Sequence, residues 1–321
     1  MRIGSLFSGA GGLDMAVEAV FGGTVVWHSE IDKAASKVLA HRYPDVPNIG
    51  DITAIDWDAV EPIDILCGGW PCQPWSIAGS KKGTEDDRAL WPYVEGAIRR
   101  LRPGIVVLEN VPNIIVLGEL ARAVGSLAAL GYDTQWACLR ASEVGAAHNR
   151  ERVFIVATNT DDPRWGEQCR SIAASQELPA AQHIGYFVDE VTALPTPSAS
   201  DGIGGGPNNP ENRLAQGHQV QLLDLGMASA ETWARYATAI YRWRCVIDRV
   251  APPPTEMNRL GKPRLNAAFS EWLMGWPEGW VTDAEIGISR NDQLKICGNG
   301  VVPQQAVAAL RYLLRVCEVA G

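Results

Sequence analysis

Short apolar runs alternate with amphipathic stretches through the first half of the chain. Runs at Ile3–Phe7, Val25–His28, Ile63–Cys67 and Ile105–Glu109 have the length of strands, and helical patterning begins near Leu13 and again near Lys33. Apolar strands separated by helices predict a parallel sheet covered on both faces. The run Val153–Ala157 predicts a later strand of the same sheet. The expected fold class is therefore α/β, a doubly wound and mostly parallel sheet of Rossmann-like type. After Asn159 the pattern becomes irregular, with turn-rich segments at Asp161-Asp162-Pro163, Gly202 to Pro210 and Pro252-Pro253-Pro254. A second, smaller region is predicted there. Within it Trp233 to Val250 reads as one helix, which would carry Arg235, Arg242 and Arg249 on roughly one face.

Composition narrows the class. With 321 residues, 46% of them hydrophobic, the chain can bury a large core, which excludes a disordered protein. No apolar run approaches the roughly 20 residues that a membrane-spanning helix needs, and the first residues lack the pattern of a secretory signal. A soluble, cytoplasmic protein is expected. The seven cysteines form no CxxC pair, so neither a zinc site nor a disulfide framework is expected, and no metal. The net charge of −9 argues against indiscriminate coating of nucleic acid. Its distribution matters more than the total. Residues 1–64 hold ten acidic side chains against four basic ones, whereas 233–264 hold seven basic against two acidic.

Candidate chemistry lies at the ends of the predicted strands. The first runs into Phe7-Ser8-Gly9-Ala10-Gly11-Gly12-Leu13-Asp14, whose glycines let backbone approach a ligand before a helix begins. Asp14 stands where a dinucleotide fingerprint would carry a third glycine, which disfavours a pyrophosphate. Glu30, at the end of the second strand, is placed to accept hydrogen bonds from a ribose. Together they suggest a ribose-bearing cofactor; a plain structural turn and a solvated acid are the alternatives.

The third strand ends in Cys67-Gly68-Gly69-Trp70-Pro71-Cys72-Gln73-Pro74-Trp75-Ser76, which sets Cys72 between two prolines at the ligand-binding edge of the sheet. A free thiol is only about 3% thiolate at pH 7, so a nucleophile there needs a nearby cation or a helix N-terminus. A buried structural cysteine is the competing reading. The fourth strand delivers Glu109 in Glu109-Asn110-Val111-Pro112 to the same edge. Buried beside a base, its carboxyl could donate a proton to a ring nitrogen; otherwise it is a loop or capping acid.

These residues in this order resemble the DNA cytosine-5 methyltransferases. The resemblance covers nearly the whole chain: the Phe-x-Gly-x-Gly-Gly turn at 7–12, Pro-Cys-Gln at 71–73, Glu-Asn-Val at 109–111, Arg-x-Arg at 150–152 and Gly-Asn-Gly-Val-Val-Pro-Gln at 298–304. It implies an S-adenosylmethionine site formed by Phe7, Gly9, Ala10, Gly11, Gly12, Leu13, Glu30, Ile31, Asp51, Ile52, Pro71, Asn299 and Val301, with S-adenosylhomocysteine as product. It implies Cys72 as nucleophile, Glu109 as acid, Arg152 near the cytosine O2 and Arg150 as its partner in organising the site. The segment from Trp75 to Trp91 resembles the mobile catalytic loop, with Gln73, Ser76 and Arg88 as DNA contacts. Residues 1–160 and about 285–321 would form the catalytic domain, and about 161–284 the target-recognition domain, where Arg235, Arg242 and Arg249 would meet phosphates unless they are a solvated face.

The implied partner is double-stranded DNA, met by a monomer. His148 departs from the family, which commonly has Gln there; Trp75 replaces the usual Phe, and Ile31 a frequent aromatic residue. An RNA cytosine methyltransferase is the nearest alternative, disfavoured by the long insertion after Arg152. A catalytically silent DNA-binding protein is the alternative from another class, against which intact Cys72, Glu109 and Arg152 argue.

Overall fold

The computed structural model describes residues 1–71, 90–175, 192–202, 208–215 and 219–319. Its centre is a six-stranded sheet. The strands are β1 (Arg2–Leu6), β2 (Thr24–Ser29), β3 (Ile65–Gly68), β4 (Ile105–Asn110), β5 (Tyr132–Arg140) and β6 (Glu151–Asn159), in the order β2-β1-β3-β4-β6-β5. The first four are parallel, and β6 runs antiparallel to both β4 and β5.

Alternation along the strands divides the core into two layers. Ile3, Ile65, Cys67, Ile105, Val107, Phe154 and Val156 face helices α1 (Gly12–Phe21), α6 (Arg164–Ser175) and α12 (Pro303–Val319). On the other face Leu6, Leu66, Val106, Leu108, Val153 and Ile155 meet α3 (Trp91–Leu101) and α5 (Glu119–Ala129). Burial on both faces explains why these strands read as unbroken apolar runs. Between them in sequence lie α2 (Lys33–Arg42) and the short α4 (Asn113–Val116). Helix α6 lies beyond the expected boundary at 160, yet packs on the same sheet face as α12.

The later part of the chain holds α7 (Pro210–Ala215), α8 (Ala230–Ala234), α9 (Ala237–Ile247), the hairpin β7 (Thr255–Met257) and β8 (Pro263–Leu265), α10 (Ala267–Leu273) and α11 (Arg290–Asn299). Trp243, Phe269, Trp272 and Trp276 form its core, which is continuous with Ala10, Ala146 and Val302. One expectation is corrected here: residues 233–250 are not a single helix. The chain turns at Arg235–Tyr236, so that Trp233 packs edge-on against Phe269 at 5.9 Å, and α9 ends at Asp248 in a left-handed conformation, φ 47°. Arg235, Arg242 and Arg249 therefore do not share a helix face. Among the described residues no helix is long and apolar enough to cross a membrane.

Candidate active site

Four parallel strands place their carboxyl ends at one edge, and the reversed β6 brings its amino end to the same edge. The pairing of Asn110 with Val153 leaves Arg152 just past the ladder, beside the end of β4. There Arg152 Nε lies 2.9 Å from Glu109 Oε1, with both side chains largely buried. A Cβ on Gly69 would lie 2.7 Å from Glu109 Oε2, so glycine is what lets the β3 loop pass over this carboxylate. Asn110 joins the two loops by donating from Nδ2 to the Trp70 carbonyl at 2.7 Å. Burial pushes the Glu109 carboxyl above its ordinary pKa, against the pull of Arg152 and Arg150.

The Glu109–Arg152 pair opens on a cavity of about 420 Å³ lined also by Phe7, Gly9, Glu30, Pro71 and Asn299, within the usual size of a small-molecule site. Glu30 is held by the Gly9 amide on Oε2 at 2.8 Å and by the Asp32 amide on Oε1 at 2.7 Å. Each carboxylate oxygen keeps a further lone pair for a ligand hydroxyl. Phe7, one residue past β1, adopts φ 51°, a rare conformation for a bulky side chain that costs on the order of 1–3 kcal/mol. It lines both this cavity and a neighbouring one of about 380 Å³, where Ile31, Asp51, Ile52 and Pro71 meet. Asp51 is ordered by its own turn, accepting from Thr53 N and Oγ1 at 2.9 Å.

Other residues of the implied cofactor set lie behind these cavities. Ala10, Gly11, Gly12, Leu13 and Val301 form the seam between the glycine turn and the returning C-terminal segment. A Cβ on Gly12 would stand 2.4 Å from the Val301 carbonyl, and that carbonyl accepts from Trp276 Nε1 at 2.9 Å. The Ala10 carbonyl accepts from Trp280 Nε1 at 2.7 Å. Arg150 is likewise placed inside the scaffold. Its buried guanidinium donates to Pro197 O at 3.2 Å, Gly298 O at 3.1 Å and Gly300 O at 2.5 Å, bracketing Asn299. Burial, and then Arg152, push its pKa down, and the three carbonyls stand in for lost water. In this structure Arg150 holds the Asn299 segment and does not itself line the cavity.

Sequence reasoning missed Trp70, Asp32 and Lys295, all of which line the larger cavity. Asp32 caps α2 through Ala34 and Ala35, and meets Lys295 at 2.7 Å, clipping the loop after β2 to α11. Burial acts to raise the Asp32 pKa, and the bonds from Lys295, Ala35 and Ala34 prevail to lower it. No sequence signal marked this pair, because its members are distant in the chain.

Cys72, Gln73, Ser76 and Arg88 lie outside the described residues. Cys67, five residues earlier, is fully buried against Asp14, and burial followed by that carboxylate pushes its thiol up, so it is structural. Of the arginines, Arg235 is exposed and Arg249 half-buried, whereas Arg242 donates to the carbonyls of Gly145 at 3.1 Å and Ala146 at 2.9 Å. Arg242 is thus engaged with its own scaffold. His41, Asp283 and Glu285 cluster on the surface, but Arg42 stands 3.7 Å from Asp283 and opposes a cation there.

The sequence profile described as C-5 cytosine-specific DNA methylase matches residues 1–315. The chain belongs to that family. Type II methyltransferase M.HgiBI of Herpetosiphon aurantiacus is 39% identical over 162 residues, 48% of this chain and 36% of that protein. Type II methyltransferase M.HhaI of Haemophilus parahaemolyticus is 33% identical over 165 residues, half of each chain. The chain thus spans between about a third and a half of the length of these curated relatives. The fold matches Dnmt2 methyltransferase of S. pombe with TM-score 0.61 at 14% identity, covering 100% of this chain and 99% of that one. A putative prophage-encoded DNA modification methyltransferase of E. coli gives TM-score 0.56 at 19% identity, covering 98% and 99%.

Proposed function

We propose that this protein transfers a methyl group from S-adenosylmethionine to carbon 5 of cytosine in duplex DNA, through a covalent adduct between Cys72 and a base swung out of the helix. The Glu109–Arg152 pair carries the reading: it opens on the same cavity as Glu30 and Asn299, beside Pro71, the residue before Cys72. Glu30 would hold the cofactor ribose, and Asp51, Ile52 and Ile31 its base, with Phe7 between the two cavities. When bound, S-adenosylmethionine supplies an electrophilic methyl group.

Carbon 5 of cytosine is a poor nucleophile while the ring stays aromatic. Addition of the Cys72 thiolate to carbon 6, with a proton donated to N3 by Glu109, converts the ring to an enamine whose carbon 5 can accept a methyl group. A carboxyl whose pKa is raised by burial is suited to hold that proton. Arg152 orients Glu109 and faces the base. Loss of the carbon 5 proton then expels the thiolate, and the N3 proton returns to the Glu109 carboxylate as the ring regains its aromaticity. Because carbon 6 is shielded inside a stacked duplex, the base must leave the stack at a cost of a few kcal/mol.

The test is a covalent trap. Duplex DNA containing 5-fluorocytosine should form a stable adduct with the protein in the presence of cofactor, since fluorine at carbon 5 blocks the final elimination. Cys72→Ser should abolish the adduct while leaving cofactor binding intact. A persisting adduct would mean another nucleophile, and methylation of transfer RNA alone, in parallel assays, would overturn the DNA substrate.

A further inference from the structure

The hairpin formed by β7 and β8 presents features that neither core packing nor the site above uses. At its tip Leu260 is 81% exposed and Met257 70%, in a protein whose other large apolar side chains are mostly buried. Arg259 and Lys262 flank Leu260, are both exposed, and have no ion-pair partner among the described residues. The one acid between 255 and 265 is Glu256. It is neutralised by Arg264 at 2.8 Å and Arg290 at 3.3 Å. The tip therefore carries unbalanced positive charge in a chain whose net charge is −9.

The tip is also held in shape. Thr255 pairs with Leu265 and Met257 with Pro263, and the Asn258 amide donates to the Lys262 carbonyl at 2.9 Å. Asn258 Oδ1 accepts from Leu260 N at 2.9 Å and Lys262 N at 3.0 Å, and Gly261 supplies the left-handed residue, φ 70°. At the root, Asn266 donates from Nδ2 to Pro253 O at 2.8 Å, and Arg290 Nε to Leu265 O at 3.1 Å. An exposed leucine on a turn fixed in this way loses little entropy when it meets a partner.

Arg290 opens α11, and Asn299 at the cavity closes it, so the hairpin root stands roughly 14 Å along one helix from the cavity rim. That span is less than half of the ~34 Å helical repeat of duplex DNA. We infer that the β7–β8 hairpin is a DNA-contacting element, with Arg259 and Lys262 on phosphates and Leu260 seated against base edges in the groove beside the target cytosine. The inference rests on the proposed DNA substrate. The partner follows from charge: two exposed cations without an acidic partner among the described residues suit phosphates, and an exposed apolar side chain between them in sequence suits thymine methyl groups or a wedge at a base step.

The three side chains are exposed, so their replacement leaves folding intact. Arg259→Ala combined with Lys262→Ala should flatten the slope of log affinity against log salt by about 1.8, two phosphate contacts at about 0.9 each. Leu260→Ala should weaken binding to the methylated sequence roughly tenfold, about half of what full burial of three lost carbons would give on a logarithmic scale, and leave the salt slope unchanged. Both variants should retain wild-type cofactor affinity and thermal unfolding. Wild-type methylation of duplex DNA together with unchanged slope and affinity in these variants would overturn the hairpin assignment while leaving the proposed activity standing. Failure of the wild-type protein to methylate or bind duplex DNA would instead overturn the activity.

Discussion

At residue scale, His148 shows how a departure from the family pattern is absorbed. Its imidazole is fully buried and donates from Nε2 to the Leu273 carbonyl at 3.0 Å, while Nδ1 has no partner. Burial first, and then Arg150, push its pKa down to about 3, so the folded protein holds it neutral. The unfolded chain protonates it near pH 6.5. Protons then bind the unfolded state more than the folded one between about pH 6.5 and 3, and stability falls as pH drops through that window. At pH 5 the penalty is about 2 kcal/mol relative to pH 7. His148→Gln keeps a donor for Leu273 and removes the titration. Urea unfolding at pH 7 and pH 5 should show the variant losing about 2 kcal/mol less than wild type over that interval. Equal losses in both proteins would mean that His148 is not held neutral in the fold.

The same scale marks what was legible. Glu30, Glu109 and Arg152 could be read from the sequence because each stands at a strand end within a short motif, and strand ends converge on one edge. Lys295 and Asp32 could not, since their meeting depends on α11 folding back, which no local pattern encodes. Arg150 was legible as a motif member and as a residue that organises the site, whereas the three carbonyls on which its guanidinium is spent emerge only from packing.

At the scale of elements, that arginine ties together β6, the segment at Pro197 and the end of α11. Lysine can form only one or two of these bonds and lacks the planar fork. Arg150→Lys should cost about 3 kcal/mol of stability, the loss of one or two charge-assisted hydrogen bonds, and weaken cofactor binding because Asn299 loses its brackets. Calorimetric titration with S-adenosylmethionine beside denaturant unfolding checks both; unchanged cofactor affinity would show that the segment is held by other contacts. Elements also account for the strand that the pattern missed. Strand β5 is an edge strand paired only with β6, and Asp133, Trp136, Cys138 and Arg140 along it are exposed, so no apolar run announces it. The helix read over 233–250 fails for a related reason. Trp233 and Tyr236 both pack inward, and a turn between α8 and α9 serves that better than a straight helix.

At the scale of the whole molecule, the two ends of the chain make one structure. Ala306, Ala309, Leu310, Leu313 and Leu314 of α12 share a core with Val17, Val20 and Phe21 of α1, and Gly12 admits the Val301 carbonyl at a distance no side chain would allow. Glu30 and Asn299, near opposite ends of the sequence, line one cavity as a result. A cofactor bound there, as proposed, would bridge both ends, and its binding energy would become folding energy of the whole. At a cofactor concentration 100 times its Kd the gain is about 2.7 kcal/mol. Amide hydrogen exchange should slow together in the glycine turn at 8–13 and in 296–302, with α12 following, when S-adenosylmethionine is added. Gly12→Ala, which forces the Cβ against the Val301 carbonyl, should abolish that joint protection and cost about 1–3 kcal/mol. Protection confined to the N-terminal turn in the native protein would mean that the C-terminal segment covers the core without completing the cofactor site.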